Sequence, residues 1–308
     1  MRVSDILRRF RVTYIGTTDD PADPLTSHGR VGETLVCPSF RPDRILQTDP
    51  AALSALAKAW GHPIDTLSDC KKALSDRLGF FAEKGCRMAD HGMDDVPLPD
   101  CGEETAERLF ERRNSLDAGG RAQLSSHLFY TLAALYRKKN MVLQMHIGTY
   151  RNVNSAAFSS VGRDAGFDVM RERVDTDRLA VVLDTLHRRG DLPRVILYSL
   201  VPGAIPALAT LSGAFPQVRI GAAWWFSDSL LGIRRQLETV AEYAVLGTHL
   251  GMLTDSRSFA SYARFDFFRR ILADLVGGYV ERGEYDRASA EDLMAALCGE
   301  NIREWLQI

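Results

Sequence analysis

Seven short apolar runs recur along the chain, and a longer stretch with helical periodicity separates each from the next. The runs are rich in Val, Ile and Leu with little polar alternation, which is typical of parallel strands covered by helices on both faces. A repeated strand–helix order without a linker predicts an α/β protein with a parallel sheet. The runs are VTYIGTT (12–18), TLVCPSF (34–40), GCRMAD (85–90), MVLQMHIG (141–148), RVILYSL (194–200), VRIGAAWWF (218–226) and LGTHLGMLTDS (246–256).

The intervening stretches are predicted to be helices because their apolar residues recur at three- and four-residue spacing. One stretch opens with polar residues and a proline near its first turn, and another closes on Arg and Lys, which are signals of a helix start and a helix end. The predicted helices span 48–60, 64–85, 120–140, 175–190, 227–247, 258–283 and 289–308, and the first residues, 3–10, have the same spacing.

The number of runs bears on the architecture. A closed (β/α)8 barrel has eight strands. We therefore predict a TIM-barrel-like (β/α)8 fold with seven of the eight strands in this chain, and we expect the first strand upstream of Met1. An open doubly wound sheet is the alternative, but no Gly-rich phosphate loop follows the first run. Residues 1–308 are predicted to form a single incomplete barrel domain that includes the C-terminal helices, 258–308.

Composition excludes several classes of function. A formal net charge of −2 offers no basic footprint for nucleic acid or for an anionic membrane surface. The sequence contains no apolar stretch of membrane-spanning length. The five cysteines are scattered and form no C-x-x-C pair, so we expect free thiols in a reducing cytoplasm.

Polar groups cluster where the apolar runs end. Six of the seven runs carry an Asp, His or Arg within a few residues of their C-terminal end. In a (β/α)8 barrel those ends meet at one face, which is where active sites are built. The sequence therefore predicts one cleft lined by these side chains.

Five charged residues at the run ends are candidates for this cleft. Arg41, Arg151 and Arg257 are predicted to bind a carboxylate, since guanidinium pairs with it through two parallel hydrogen bonds. The alternative is that they are surface arginines at helix ends. Asp90 and Asp255 are predicted to act as a general base or a metal ligand, and the alternative is a helix N-cap.

The remaining candidates are a histidine and a pair of tryptophans. His146 is predicted to be a metal ligand or a proton carrier, with a buried core histidine as the alternative. Trp224 and Trp225 are adjacent on a predicted strand, so one is expected to face the cleft and the other the helices. We assign Trp225 to the substrate side.

These run ends together resemble the uronate isomerase (glucuronate isomerase) family of the amidohydrolase superfamily. The resemblance extends from about residue 10 to the C-terminus, and MLTDSRSF is its most specific part. The other matching stretches are VTYIGTTDDP, SFRPD, GCRMADH, QMHIGTYRN, ILYSL, AAWWFSD and the rest of VLGTHLGMLTDSRSFASYARFDFFRRIL.

The resemblance implies an aldose–ketose isomerase that interconverts D-glucuronate with D-fructuronate and D-galacturonate with D-tagaturonate. It implies a divalent metal, expected to be zinc, with Asp255 as a ligand and possible proton acceptor. It places His146 beside the metal and the sugar hydroxyls, and it assigns the arginines to the substrate. The implied partner is a small-molecule uronate, with no nucleic acid and no membrane.

The chain departs from the family pattern in two ways. The sequence contains no His-x-His pair, which in the family supplies two metal ligands from the first strand, and Val153 stands where the family has asparagine. We therefore expect an incomplete metal site, completed by an N-terminal segment or a second copy, and little activity of the chain alone. The alternatives are a non-catalytic, decayed barrel and a metal-dependent hydrolase of the same superfamily.

Overall fold

A parallel sheet forms the centre of the computed structural model, which describes residues 2–162, 165–256 and 258–308. Strands are hydrogen-bonded in chain order along most of this sheet, and two short antiparallel pairings are added to it. The strands are β1 (Tyr14–Gly16), β2 (Gly29–Val31), β3 (Thr34–Cys37), β4 (Met88–Met93), β5 (Val142–Ile147), β6 (Thr149–Tyr150), β7 (Val169–Met170), β8 (Arg194–Ser199) and β9 (Val218–Ile220).

The strand order is that of a singly wound sheet. β1 and β3 are parallel, and β4, β5, β8 and β9 follow one another in parallel pairings. Phe40 joins the two groups through parallel bridges to Asp19 on one side and Ala89 on the other. Because the order does not reverse, the winding is that of a (β/α)8 barrel and not that of a doubly wound sheet.

Six of the seven predicted runs contain a strand of this parallel sheet, but the prediction for 246–256 is wrong within the described residues. That run begins with a 3₁₀ turn and continues without strand pairing. The side chain of Asn301 donates to the carbonyl oxygens of Gly247 and His249, at 2.7 and 2.9 Å. These backbone acceptors are therefore satisfied by a side chain about fifty residues away and not by a neighbouring strand.

The helices cover the sheet largely where the periodicity predicts them. Asp49 is the N-cap residue just before Pro50, and its side chain accepts hydrogen bonds from the backbone N–H groups of Ala51 and Ala52. Thr66 forms a capping box with Asp69 at the start of another helix. The helices are α1 (Val3–Arg9), α2 (Asp43–Leu46), α3 (Pro50–Trp60), α4 (Leu67–Glu83), α5 (Glu103–Glu111), α6 (Ala118–Lys138), α7 (Ser155–Val161), α8 (Thr176–Arg188), α9 (Ile205–Ala214), α10 (Leu230–Tyr243), α11 (Ala263–Glu281), α12 (Arg287–Ala295) and α13 (Asn301–Leu306).

Four of these helices, α2, α5, α7 and α9, were not predicted. None of the described helices combines the length and the apolar character that a membrane crossing requires.

Apolar packing on the outer face of the sheet explains why the runs lack alternation. Phe40 is fully buried and makes edge contacts with the rings of Phe81 and Tyr136, at centroid distances of 5.0 and 6.3 Å. On the inner face, a second cluster includes Val142 and Tyr198. Strands buried on both faces need apolar residues at successive positions, and this produces continuous runs.

Candidate active site

One large cavity, with a volume of about 1390 Å³, lies where the C-terminal ends of the strands meet. It receives side chains that follow β1, β3, β4, β5 and β9, as the barrel winding predicts. Arg257, which was predicted for this cleft, lies outside the described residues. The other six predicted site residues all line the cavity: Arg41, Asp90, His146, Arg151, Trp225 and Asp255.

Asp90 and His146 form a buried pair on neighbouring strands. The register of β4 and β5 pairs Gly92 with His146, so the imidazole stands beside the Asp90 carboxylate. His146 Nδ1 lies 2.7 Å from Asp90 Oδ1. Burial by itself would raise the pKa of Asp90, but the interactions with His146 and with the Arg41 guanidinium outweigh it and lower the pKa to about 2. Asp90 is therefore an ionised carboxylate that orients the imidazole.

Arg41 is held by two carboxylates. Its Nε donates to Asp43 Oδ2 at 2.9 Å and its Nη1 donates to Asp90 Oδ2 at 3.0 Å. Burial would lower the pKa of Arg41, but Asp90 and Asp43 raise it above the ordinary value. Asp43 also accepts from the backbone N–H of Gly92 at 3.1 Å. The guanidinium is thus fixed in orientation, with Nη2 close to Gly92.

Arg151 meets Arg41 above Gly92. Arg151 Nη1 donates to the partly buried Asp168 at 3.0 Å. A Cβ built on Gly92 would lie 2.6 Å from Arg41 Nη2 and 3.6 Å from Arg151 Nη2. Because glycine has no side chain, the two guanidinium edges can converge over this point. They form an arginine corner of the cavity, and the Trp225 ring centroid lies 6.0 Å from the Arg151 guanidinium carbon.

The prediction that Trp224 and Trp225 face opposite sides is wrong. Trp224 is buried and Trp225 is partly exposed, yet both line the same cavity. The strand β9 ends at Ile220, and Trp225 has a φ of +51° at the start of a 3₁₀ turn. Side-chain alternation holds only within an extended strand, so it does not apply at these positions.

Asp255 is bound to Trp224 and does not cap a helix. Trp224 Nε1 donates to Asp255 Oδ2 at 2.5 Å. The cap of the following turn is Ser258, whose side chain accepts from the backbone of Ala260. Asp255 has a φ of +39°, a conformation that costs energy for a residue with a side chain. The fold therefore holds this carboxylate toward the cavity at the expense of local backbone strain.

Sequence reasoning missed four residues of this site. Tyr198 stacks on the His146 ring, Asp43 orients Arg41, and Asp228 forms an ion pair with Arg264 at the cavity wall. Tyr198, Asp43 and Asp228 lie in run-end segments that the sequence singles out, so their position was the available signal. Arg264 lies on α11 and carried no such signal.

The described residues offer one group of three possible metal ligands, and it lies away from the pair of Asp90 and His146. Ligand atoms of Asp100, Cys101 and His127 lie within 4.8 Å of one another and could hold a divalent ion. Two of these groups already have partners, because His127 Nδ1 lies 2.7 Å from Asp100 and Arg189 donates to the same carboxylate. No comparable group surrounds Asp255 within the described residues.

Comparison with known proteins connects this cavity to a family. The sequence model described as glucuronate isomerase matches residues 1–306. A uronate isomerase from Marinomonas sp. is 39% identical over 97% of this chain and 69% of its own length.

Two solved structures share the fold. The uronate isomerase from Thermotoga maritima has a TM-score of 0.93 at 28% identity, covering 99% of this chain and 70% of that one. The glucuronate isomerase from Caulobacter crescentus has a TM-score of 0.92 at 26% identity, covering 99% of this chain and 66% of that one. The predicted barrel-type α/β fold and the predicted family resemblance are both confirmed.

Proposed function

The chain belongs to the glucuronate isomerase family, and from this premise we propose that it is a uronate isomerase. It interconverts D-glucuronate with D-fructuronate and D-galacturonate with D-tagaturonate. The observation that carries the proposal is the convergence of a two-arginine corner with the Asp90–His146 pair in one cavity. Binding of an anionic sugar requires the arginines, and proton transfer requires the Asp90–His146 pair. The hydrolase and decayed-barrel alternatives have no comparable support.

The Nη2 edges of Arg41 and Arg151 bind the substrate carboxylate. Each charge-assisted hydrogen bond contributes about 1.5–3 kcal/mol. Asp43, Asp90 and Asp168 fix the two guanidinium groups before the substrate arrives, so little side-chain entropy is lost on binding. The corner therefore orients the sugar as well as holding it.

The Asp90–His146 pair moves protons between the sugar oxygens. Isomerisation shifts one hydrogen from C2 to C1 and one proton from O2 to O1. Asp90 holds the proton on Nδ1 of His146, which leaves Nε2 to accept the proton from O2 and return one to O1. Asp255 acts on the carbon: its carboxylate removes the C2 hydrogen as a proton to give an enediol and returns a proton to C1.

A divalent metal is the cofactor implied by the family resemblance, and it would polarise a sugar oxygen when bound. Asp255 is its proposed ligand and zinc its proposed identity. Catalytic zinc typically has about three protein ligands. In the part of the chain that the structure describes, Asp255 belongs to no such group, so the residues do not fit a complete zinc site and no step is assigned to the ion.

Metal analysis of the purified chain tests the zinc proposal. One zinc per chain that is lost in Asp255→Ala and retained in His127→Ala would support the ligand role of Asp255. The opposite pattern would assign the ion to Asp100, Cys101 and His127. Light scattering on the same samples tests the proposed self-association. Addition of an N-terminal segment from a related isomerase tests whether such a segment completes the metal site.

Domain organisation and location are proposed on similar grounds. We infer that residues 1–308 form a single barrel-type domain, which a single cooperative unfolding transition would support. We also infer a cytoplasmic location, because all five cysteines are free.

Calorimetric titration with D-glucuronate and D-glucose tests the function, since the two sugars differ in the carboxylate. We expect the chain to bind the uronate at least tenfold more tightly than glucose, and Arg151→Ala to remove that preference. Arg282→Ala is the matched control, since this exposed arginine pairs with Glu284 far from the corner. Equal binding of the two sugars would refute the proposal, and ketose formation followed by NMR measures the activity itself.

A further inference from the structure

We propose that Tyr198 is a positioning residue for His146 and that Gly221 provides the space its ring requires. This inference rests on the proposed function, because it assigns a purpose to the orientation of the proton-carrying imidazole. It concerns Tyr198 on β8 and Gly221, which directly follows β9.

The His146 ring is enclosed on two sides by aromatic rings. Tyr198 lies parallel to it, with a centroid distance of 4.4 Å and an angle of 4° between the planes. Trp224 approaches at 4.6 Å with an angle of 62°. Together with the contact between Nδ1 and Asp90, these rings limit rotation of the imidazole about its terminal side-chain torsion. Such torsions are otherwise broad and roughly two-fold.

The Tyr198 ring is itself anchored. Its hydroxyl donates to Gln144 Oε1 at 3.1 Å, and Gln144 is on the same strand as His146, two residues earlier. Tyr198 is 4% exposed, and burial raises the pKa of its hydroxyl well above the ordinary value, as do Asp90 and Asp255 to a smaller extent. Tyr198 is therefore a neutral, hydrogen-bonded ring around neutral pH.

Gly221 is the position that admits this ring. A Cβ built there would lie 2.1 Å from Tyr198 Cε1 and 2.4 Å from Cδ1, distances at which the ring has to move. The backbone cannot yield readily, because the Gly221 N–H donates to Leu197 and its carbonyl accepts from Gln236, both at 2.9 Å. A side chain at residue 221 would therefore displace the tyrosine from His146.

A double-mutant cycle tests the coupling between these two residues. We expect Gly221→Ala and Tyr198→Ala each to lower kcat by roughly tenfold to a hundredfold with little change in KM, because the substrate corner is intact. In the Tyr198→Ala background, Gly221→Ala should have almost no further effect, since the ring that the new Cβ meets is gone. Tyr198→Phe keeps the ring and should retain most of the activity.

The rate of His146 carbethoxylation by diethyl pyrocarbonate provides a readout that does not depend on isomerase activity. Peptide mass spectrometry would measure this rate, and we expect it to rise several-fold in Tyr198→Ala and Gly221→Ala but not in Tyr198→Phe. Tyr198→Leu replaces Tyr198→Ala if the latter does not fold, as judged by circular dichroism. Additive effects in the cycle, or an unchanged modification rate, would overturn the inference. An inactive wild-type chain with the expected modification rates would refute the proposed function alone.

Discussion

Replacing Asp90 by asparagine should separate the electrostatic role of this carboxylate from its shape. Asparagine approximates the protonated form of aspartate, so the variant reports what ionisation of Asp90 contributes. The pKa of Asp90 falls from 3.8 to about 2 in the folded protein because His146 and Arg41 outweigh burial. A lowering of nearly two pKa units corresponds to about 2 kcal/mol of folding free energy.

The pH dependence of this contribution has a definite sign. A depressed carboxyl pKa stabilises the folded state above the unfolded pKa, and the stabilisation is lost as the pH falls through the folded value. The difference in unfolding free energy between wild type and Asp90→Asn should be about 2 kcal/mol at pH 6. It should fall to roughly half of that near pH 3.

Urea denaturation at a series of pH values measures the free energy of unfolding of both proteins. Taking the difference between them cancels the contribution of the other carboxyl groups. Asp292→Asn is the matched control, because this aspartate is exposed on α12, and it should differ little from wild type at any pH. The reasoning would be refuted if Asp90→Asn were as stable as wild type at pH 6. It would also be refuted if the difference stayed constant down to pH 3. The same variant should lose at least roughly a hundredfold in kcat, because His146 loses the group that orients it.

Three further predictions follow from other parts of the structure. Gly92→Ala should raise KM for glucuronate roughly tenfold with a smaller effect on kcat, since its Cβ would displace Arg41 Nη2; steady-state kinetics checks this, and an unchanged KM would contradict it. Burial lowers the pKa of His249 to about 4. The free energy of unfolding should therefore have its full value above about pH 6.5 and decrease below that pH. His249→Gln should remove about 2 kcal/mol of that decrease at pH 5, as measured by urea denaturation. An unchanged dependence of the unfolding free energy on pH would count against this prediction. If Asp255 moves the C2 hydrogen as a proton, isomerisation in D₂O should place deuterium at C1 of the ketose, as NMR would show; complete retention of the substrate hydrogen would instead indicate hydride transfer.

Much of the framework could be predicted because its signals are local. Strands β3, β5 and β8 are largely apolar, since helices or the barrel interior cover each face. Helix starts at Asp49 and Thr66 depend on contacts within three residues. The candidate site residues follow from the same pattern, because parallel strands deliver their C-terminal ends to one face.

The prediction failed where distant residues decide the outcome. The run 246–256 has the composition of a strand, but Asn301 supplies the hydrogen-bond donors that a neighbouring strand would otherwise provide. Trp224 and Trp225 lost their alternation because β9 stops at Ile220. Neither event has a signal within the segment itself.

The sequence alone determined six of the residues that meet at the end of the sheet, because strand periodicity and strand ends are properties of short segments. Only the tertiary structure decided how those residues divide their hydrogen bonds. It engaged Arg41 with Asp43 and Asp90, placed Asp90 against His146, and laid Tyr198 on the same imidazole. Side-chain pairing depends on distances of about 3 Å between groups far apart in the chain, and only packing of the whole fold sets such distances.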